Sequence, residues 1–231
     1  MKHAMIPAVA WSLGCLMSVV WLCASEPAPR EIDLLSPPPA SGPDSAWKYV
    51  SEDPQSRLED VWSFRDGVLI CRGTPKGYLS TKRDYTDCVL RLEWRWPPDK
   101  KPGNGGVLLR ITGPDKIWPR SLEAQLNADS AGDFWGLDGY PLDGPAERRL
   151  VVESPQFGRL TNLKKTESLE RPAGQWNQYE ITLRGDKATL AVNGRVVNEA
   201  AGCQVMPGRI CLTAEGDEIH FRNVRLTPLD K

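Results

Sequence analysis

The stretch SLEAQLNA, residues 121–128, holds the side chains with the clearest capacity for chemistry. In steps of two, Ser121, Glu123, Gln125 and Asn127 fall on one side and Leu122, Ala124 and Leu126 on the other. This is strand periodicity, because successive side chains of a strand point to opposite faces. The polar side combines a carboxylate with two carboxamides and has no lysine or arginine. A carboxylate so placed can take or give a proton, and carboxamides both donate to and accept from hydroxyl groups. A solvated face ordinarily mixes charges, so the pattern leaves two readings, a water-facing stripe or the floor of a binding site.

Other residues extend that floor. Arg110 lies on one alternating face of GGVLLRI, with Gly106 and Leu108. Glu93 and Arg95 alternate outward along CVLRLEWRW and are assigned to the same polar surface. Carboxylate, carboxamide and guanidinium together can grip a hydroxyl-rich ligand, because sugars need paired donors and acceptors and arginine offers two donors in fixed geometry. Trp118 before the strand and Phe134-Trp135 after it supply flat stacking surfaces. The competing reading is a solvated outer face laced with cross-strand ion pairs.

Several function classes are excluded or weakened. Twenty-nine basic against thirty acidic residues give a net charge of -1, which speaks against a nucleic-acid partner. His220 is the one histidine beyond the N-terminal run, so a histidine-based zinc centre is excluded. Beside Ile219 and Phe221, it reads as structural or solvated. Asp129, Asp133, Asp138 and Asp143 recur in one loop and offer the oxygen ligands calcium takes, but without EF-hand spacing. The expectation is no cofactor, with calcium as the open exception. No GxGxxG after a strand, P-loop or GxSxG occurs.

The first 25 residues have a basic start, an apolar run and the small-residue ending Cys23-Ala24-Ser25, which reads as a cleaved export signal. The mature chain is therefore expected in the periplasm or outside the cell, with no stable membrane span. Residues 26–46 are rich in proline and serine and read as an extended tether. In an oxidising compartment Cys71, Cys88, Cys203 and Cys211 are expected to form two disulfides, or one plus a free pair.

Residues 47–229 read almost entirely as strand. Asp66-Gly67 and Asn193-Gly194 between apolar runs mark hairpins. Helical candidates are a turn at 56–60 and an ambiguous segment at 146–153; the connection 129–174 is long and little structured. Many short strands at regular spacing predict an all-β fold of two antiparallel sheets, a β-sandwich or jelly roll. Core packing is expected to occupy most of the nine tryptophans.

The segments VWSFRDGVLICRG, YLSTKRDYTDCVLRLEWRW, GNGGVLLR, SLEAQL, GDFWG, AGQWNQYEITLRGDKATLAVNGRVV, GRICL and HFRNVRL occur in that order. Together they resemble the 3-keto-disaccharide hydrolase family, a concanavalin A-like lectin/glucanase sandwich, from about Trp47 to Leu229. The resemblance implies an exported hydrolase or lyase acting on glycosides whose C3 hydroxyl has become a ketone. The ketone acidifies the C2 proton; its removal gives an enolate, which expels the C1 substituent before water adds back.

Matched position by position, the resemblance makes Glu123 the base and Gln125 the holder of a sugar hydroxyl. Arg110 would steady the enolate oxygen or orient Glu123. Asn104 would hold the turn or touch ligand, and Asp133 and Trp135 would be acid and stacking platform. Where family members commonly place an aspartate two residues after the ExQ pair, this chain has Asn127. That departure supports the main rival, a non-catalytic carbohydrate-binding module. An ordinary glycosidase needs two opposed carboxylates, and here only distant candidates accompany Glu123.

Overall fold

The computed structural model describes Met1 and residues 30–40, 42 and 45–229. Residues 2–25 of the segment read as an export signal lie outside the described residues. The strands, in chain order, are β1 (Ile32–Asp33), β2 (Trp47–Ser51), β3 (Trp62–Arg65), β4 (Val68–Cys71), β5 (Gly77–Thr81), β6 (Cys88–Arg95), β7 (Gly106–Ile111) and β8 (Ser121–Gln125). They continue as β9 (Phe134–Leu137), β10 (Arg149–Ser154), β11 (Gly158–Leu163), β12 (Asn177–Arg184), β13 (Lys187–Val192), β14 (Arg195–Ala200), β15 (Arg209–Ala214) and β16 (Ile219–Pro228). One helical turn, α1 (Leu58–Val61), precedes β3, and a 3-10 turn (Ala146–Arg148) precedes β10.

The strands form two antiparallel sheets. One has the order β14-β13-β12-β6-β16-β4-β3, with β1 also paired to β16; the other runs β10-β11-β9-β8-β7-β15-β5-β2. Each sheet receives a late strand in its interior: β15 enters between β5 and β7, and β16 between β4 and β6. That winding is the predicted jelly roll. The hairpin turns form where the sequence marks them. Asp66 and Gly67 have φ of 50° and 77°, Asn193 and Gly194 of 50° and 83°, as a type I′ turn requires at both central positions.

Alternation packs the sandwich. On β6, Cys88, Leu90, Leu92 and Trp94 are buried, while the residues between them are partly or fully exposed. On β12, Tyr179, Ile181 and Leu183 turn inward, and the Trp94 and Tyr179 rings lie 4.4 Å apart at 57°. Trp47, Trp62, Trp94 and Trp96 are buried, whereas Trp118 and Trp135 are left half-buried.

Three expectations change. The stretch read as a tether contributes β1, and Leu34 and Leu35 join the core, where Trp47 Nε1 donates to the Leu34 carbonyl at 2.6 Å. The connection 129–174, including the ambiguous segment 146–153, supplies β9, β10 and β11. Its periodicity was weak because β10 is an edge strand with five exposed residues in a row. Finally, Cys71, Cys88, Cys203 and Cys211 are all free, buried thiols. Cys71 packs in the main core and Cys211 in a separate apolar cluster on the β7–β15 sheet. Burial pushes these two up to about 12 and Cys88 and Cys203 up to about 11, so all four stay protonated near neutrality.

Candidate functional site

Glu123 sits in the middle of the sheet that carries β8. Its cross-strand partners are Leu108 on β7 and Trp135 on β9. An apolar cluster on the same sheet, Tyr78, Leu108, Ile111, Leu137 and Cys211 with Trp135 and Leu160 against it, surrounds the site. The residue is 4% exposed, and its carboxyl has no hydrogen-bond partner among the described residues. A buried carboxylate without donors is costly, so burial first, and the charge of Glu215 second, raises Glu123 well above the usual carboxylate range.

Gly106 makes room for it. A Cβ at Gly106 would stand 2.2 Å from Glu123 Oε1. The obstruction is the end of a flexible side chain, so Gly106→Ala should leave the melting temperature within a few degrees of the parent while displacing the carboxyl. Turnover should therefore drop, by roughly tenfold or more, because small misplacements of a reacting group are costly. Unchanged turnover in Gly106→Ala would show that this carboxyl position is not used.

A cavity of about 250 Å³ opens over Glu123, lined also by Gln125, Asn104, Trp118, Trp135, Phe157 and Glu215. Gln125 spends its carboxamide oxygen on the backbone N–H groups of Leu126 and Asn127, both at 3.0 Å. Its amide nitrogen has no partner among the described residues and is available to a ligand. Asn104 donates from Nδ2 to Glu215 Oε2 at 2.6 Å, and its buried Oδ1 has no partner among the described residues. Trp118 holds φ of 62°, a conformation that strains a bulky residue, and meets the Phe157 ring edge-on at 5.9 Å. Lys76 is exposed at the rim.

Glu215, just past β15, is the group the sequence reading missed. Its Oε1 lies 2.8 Å from Thr213 Oγ1. Burial pushes its carboxyl up to about 7, against lowering contributions from Thr213, Lys76 and Asn104. Two carboxyls raised above the usual carboxylate range thus line one cavity. Alternation along β15 places Cys211, Thr213 and Glu215 on one face, but nothing local says that β15 lies beside β7.

This arrangement has a pH signature. Both shifts make the folded state bind protons more tightly than the unfolded chain, whose glutamates titrate near 4.3. The associated stability is therefore fully present below that value and is lost as pH rises through about 7. Melting temperatures between pH 5 and pH 8 should fall more steeply for the parent than for Glu215→Gln. Parallel curves would mean that Glu215 titrates normally.

The structure gathers Glu123, Gln125, Asn104, Trp118 and Trp135 and places the other sequence candidates elsewhere. Arg110 faces away because the strand bulges there: its φ is 54°, and the β15–β7 register shifts between Arg209 and Cys211. The bulge reverses the alternation, so Arg110 is buried and donates to the carbonyls of Gln204 and Gly185, both at 2.8 Å, and to that of Thr86. Asp133 is outside the cavity, accepting from Lys165 N–H at 2.9 Å and from Asn162 Nδ2 at 3.3 Å. Asn127 is exposed and also outside, so the missing aspartate removes no group from the cavity.

Glu93 and Arg95 lie on β6, in the opposite sheet. Glu93 accepts from Arg222 Nε at 2.6 Å, while Arg95 donates to His220 Nδ1 at 3.3 Å and lies over the Trp176 ring. The loop aspartates do not converge: Asp138 pairs with Lys116 and Asp143 with Arg149. No group of three or more metal-ligating side chains forms among the described residues. No described helix is long and apolar enough to cross a membrane.

Two antiparallel sheets wound as a jelly roll, one of them opening into an aromatic-walled cavity, place the molecule among glycosyl-hydrolase-like or carbohydrate-binding jelly rolls. Within that class the sequence is decisive. The family model described as the 3-keto-alpha-glucoside-1,2-lyase-like domain matches residues 44–227, and the chain belongs to this family. No curated protein matches its sequence. Among solved structures it resembles a putative glycosyl hydrolase from Parabacteroides distasonis ATCC 8503 (TM-score 0.55, 18% identity, 80% of this chain and 89% of that one). It also resembles carbohydrate-binding module CBM66 from Bacillus subtilis (TM-score 0.55, 12% identity, 79% and 95%). The β-glucanase of Bacillus licheniformis is similar too (TM-score 0.54, 11% identity, 89% and 100%). At these identities the likeness is one of fold.

Proposed function

We propose that this is an exported enzyme that cleaves 3-keto-glycosides by removing the C2 proton and expelling the C1 substituent. The observation that carries this reading is the pair of carboxyls, buried Glu123 and half-buried Glu215, in one aromatic-walled cavity. Elimination needs a base and an acid within the same site, and two raised carboxyls, one ionised and the other protonated, supply both.

Ionised Glu123, unsolvated by donors, takes the proton from C2. The C–H electrons form the C2=C3 bond of an enolate, whose charge rests on the C3 oxygen. The Lys76 ammonium, by its charge, and the free Gln125 amide N–H groups, as hydrogen-bond donors, can stabilise that oxygen. As the ketone re-forms, C1=C2 appears and the C1–O bond breaks. Glu215 gives its proton to the departing oxygen. Water then adds across C1=C2: its hydroxyl goes to C1, Glu215 recovers a proton, and Glu123 returns one to C2. Trp118, Trp135 and Phe157 provide apolar faces for the sugar ring.

Product release from 3-keto-trehalose and 3-keto-sucrose tests the reading, with unoxidised trehalose and sucrose alongside. Cleavage of the keto-sugars alone is the expected result. Equal cleavage of the unoxidised sugars would point to ordinary two-carboxylate hydrolysis, the second reading that Glu215 makes feasible. Binding without cleavage would make the domain a carbohydrate-binding module.

A further inference from the structure

We propose that the exposed edge of the site-bearing sheet, strand β10, is a self-pairing surface that joins two copies of this chain. Leu150, Val151 and Val152 are consecutive on β10 and 51%, 43% and 41% exposed. An edge strand presents unpaired N–H and C=O groups, and proteins commonly guard such edges with charge or cover. The far edge of the same sheet, β2, carries Lys48 paired with Asp115. In the other sheet, β14 is covered by Thr166, whose N–H donates to the Val197 carbonyl at 2.8 Å. The centre of β10 is aliphatic instead.

The sequence of β10 chooses the partner. Antiparallel pairing of β10 with itself, centred on Val151, sets Val151 beside its counterpart and Leu150 beside Val152. It also sets Arg149 of each copy opposite Glu153 of the other. Aliphatic pairs and two opposite-charge pairs therefore form together about one two-fold axis, as an isologous interface requires. Competing contacts are weak at one end: Glu153 now meets Arg159 at 3.9 Å, and both side chains are largely exposed. Arg149 can exchange its exposed bond to Asp143 for the new one. The interface would make the two eight-stranded sheets continuous. It would also anchor the β10–β11 hairpin, which carries Phe157 and Leu160 of the cavity wall.

Sedimentation equilibrium of the expressed protein, at concentrations from about 0.1 to 100 µM, provides the test. The parent should associate to a dimer. Arg149→Glu sets like charges opposite each other twice and should raise the dissociation constant roughly tenfold or more. Val151→Lys should do the same, both with unchanged far-UV circular dichroism. The double exchange Arg149→Glu with Glu153→Arg should restore the dimer. A monomeric parent, a dimer indifferent to both single changes, or a double exchange that fails to restore association would each overturn the proposal.

Discussion

Replacing Glu123 by Gln should lower cleavage of a 3-keto-glycoside by about 10²–10⁴-fold, the usual contribution of a positioned proton-transfer group. The change keeps shape and volume and removes only the ability to accept the C2 proton. The loss should appear in kcat, with binding of the keto-sugar, read from tryptophan fluorescence, close to that of the parent. The fold should not suffer. Glu123 accepts no hydrogen bond from the described residues, and a neutral side chain beside Leu108 and Trp135 avoids the cost of burying charge. The matched control is Asp133→Asn. Its carboxylate serves Lys165 and Asn162 outside the cavity, so it should affect stability more than chemistry. If Glu123→Gln turns over like the parent while Asp133→Asn does not, the base is misassigned.

Arg110→Met should produce the largest loss of stability, about 3–5 kcal/mol, the range seen when one partner of a buried charged network is removed. The guanidinium satisfies the carbonyls of Gln204, Gly185 and Thr86 and reaches Asp87 Oδ1 at 3.3 Å, and its side chain is fully buried. Methionine fills much of the volume but leaves those acceptors without a donor. For a domain of this size the melting temperature should fall by roughly 6–20 °C. Below its transition the variant should still cleave keto-sugar at near the parent rate, because Arg110 does not line the cavity. A variant of parental stability and lost turnover would return Arg110 to the reaction. The same clamp draws together Gly185 after β12, Gln204 after β14 and Thr86 before β6, which gives this buried charge a structural role.

The site also connects the two readings of the family. A carboxylate pair is more than recognition of a sugar requires, since hydroxyl groups can be bound by carboxamides and a single carboxylate. A buried carboxyl without a hydrogen-bond partner, as at Glu123, destabilises the fold, and such strain is ordinarily found where it serves chemistry. The pH-dependent stability and the Gly106→Ala effect probe that arrangement independently of turnover by Glu123→Gln.

The sequence by itself determined the fold class, most strand positions, both I′ hairpins and the facing of the candidate site residues on β8. These are local properties. Alternation in SLEAQL places Glu123 and Gln125 on one face whatever the strand pairs with, and Asn193-Gly194 turns the chain through its own φ preferences. The family resemblance added the jelly-roll winding. Only the tertiary structure decided which strands become neighbours. It inserted β15 beside β7 and so brought Glu215 and Lys76 to Glu123 across long sequence separations. It put Glu93 and Arg95 on the other sheet, a distinction that period-two alternation cannot encode. It also sent Arg110 into the interior, because its positive φ and the register shift beside it reverse the alternation at the end of β7. Facing is written in short-range periodicity, whereas partnership depends on how distant segments bury their apolar faces together.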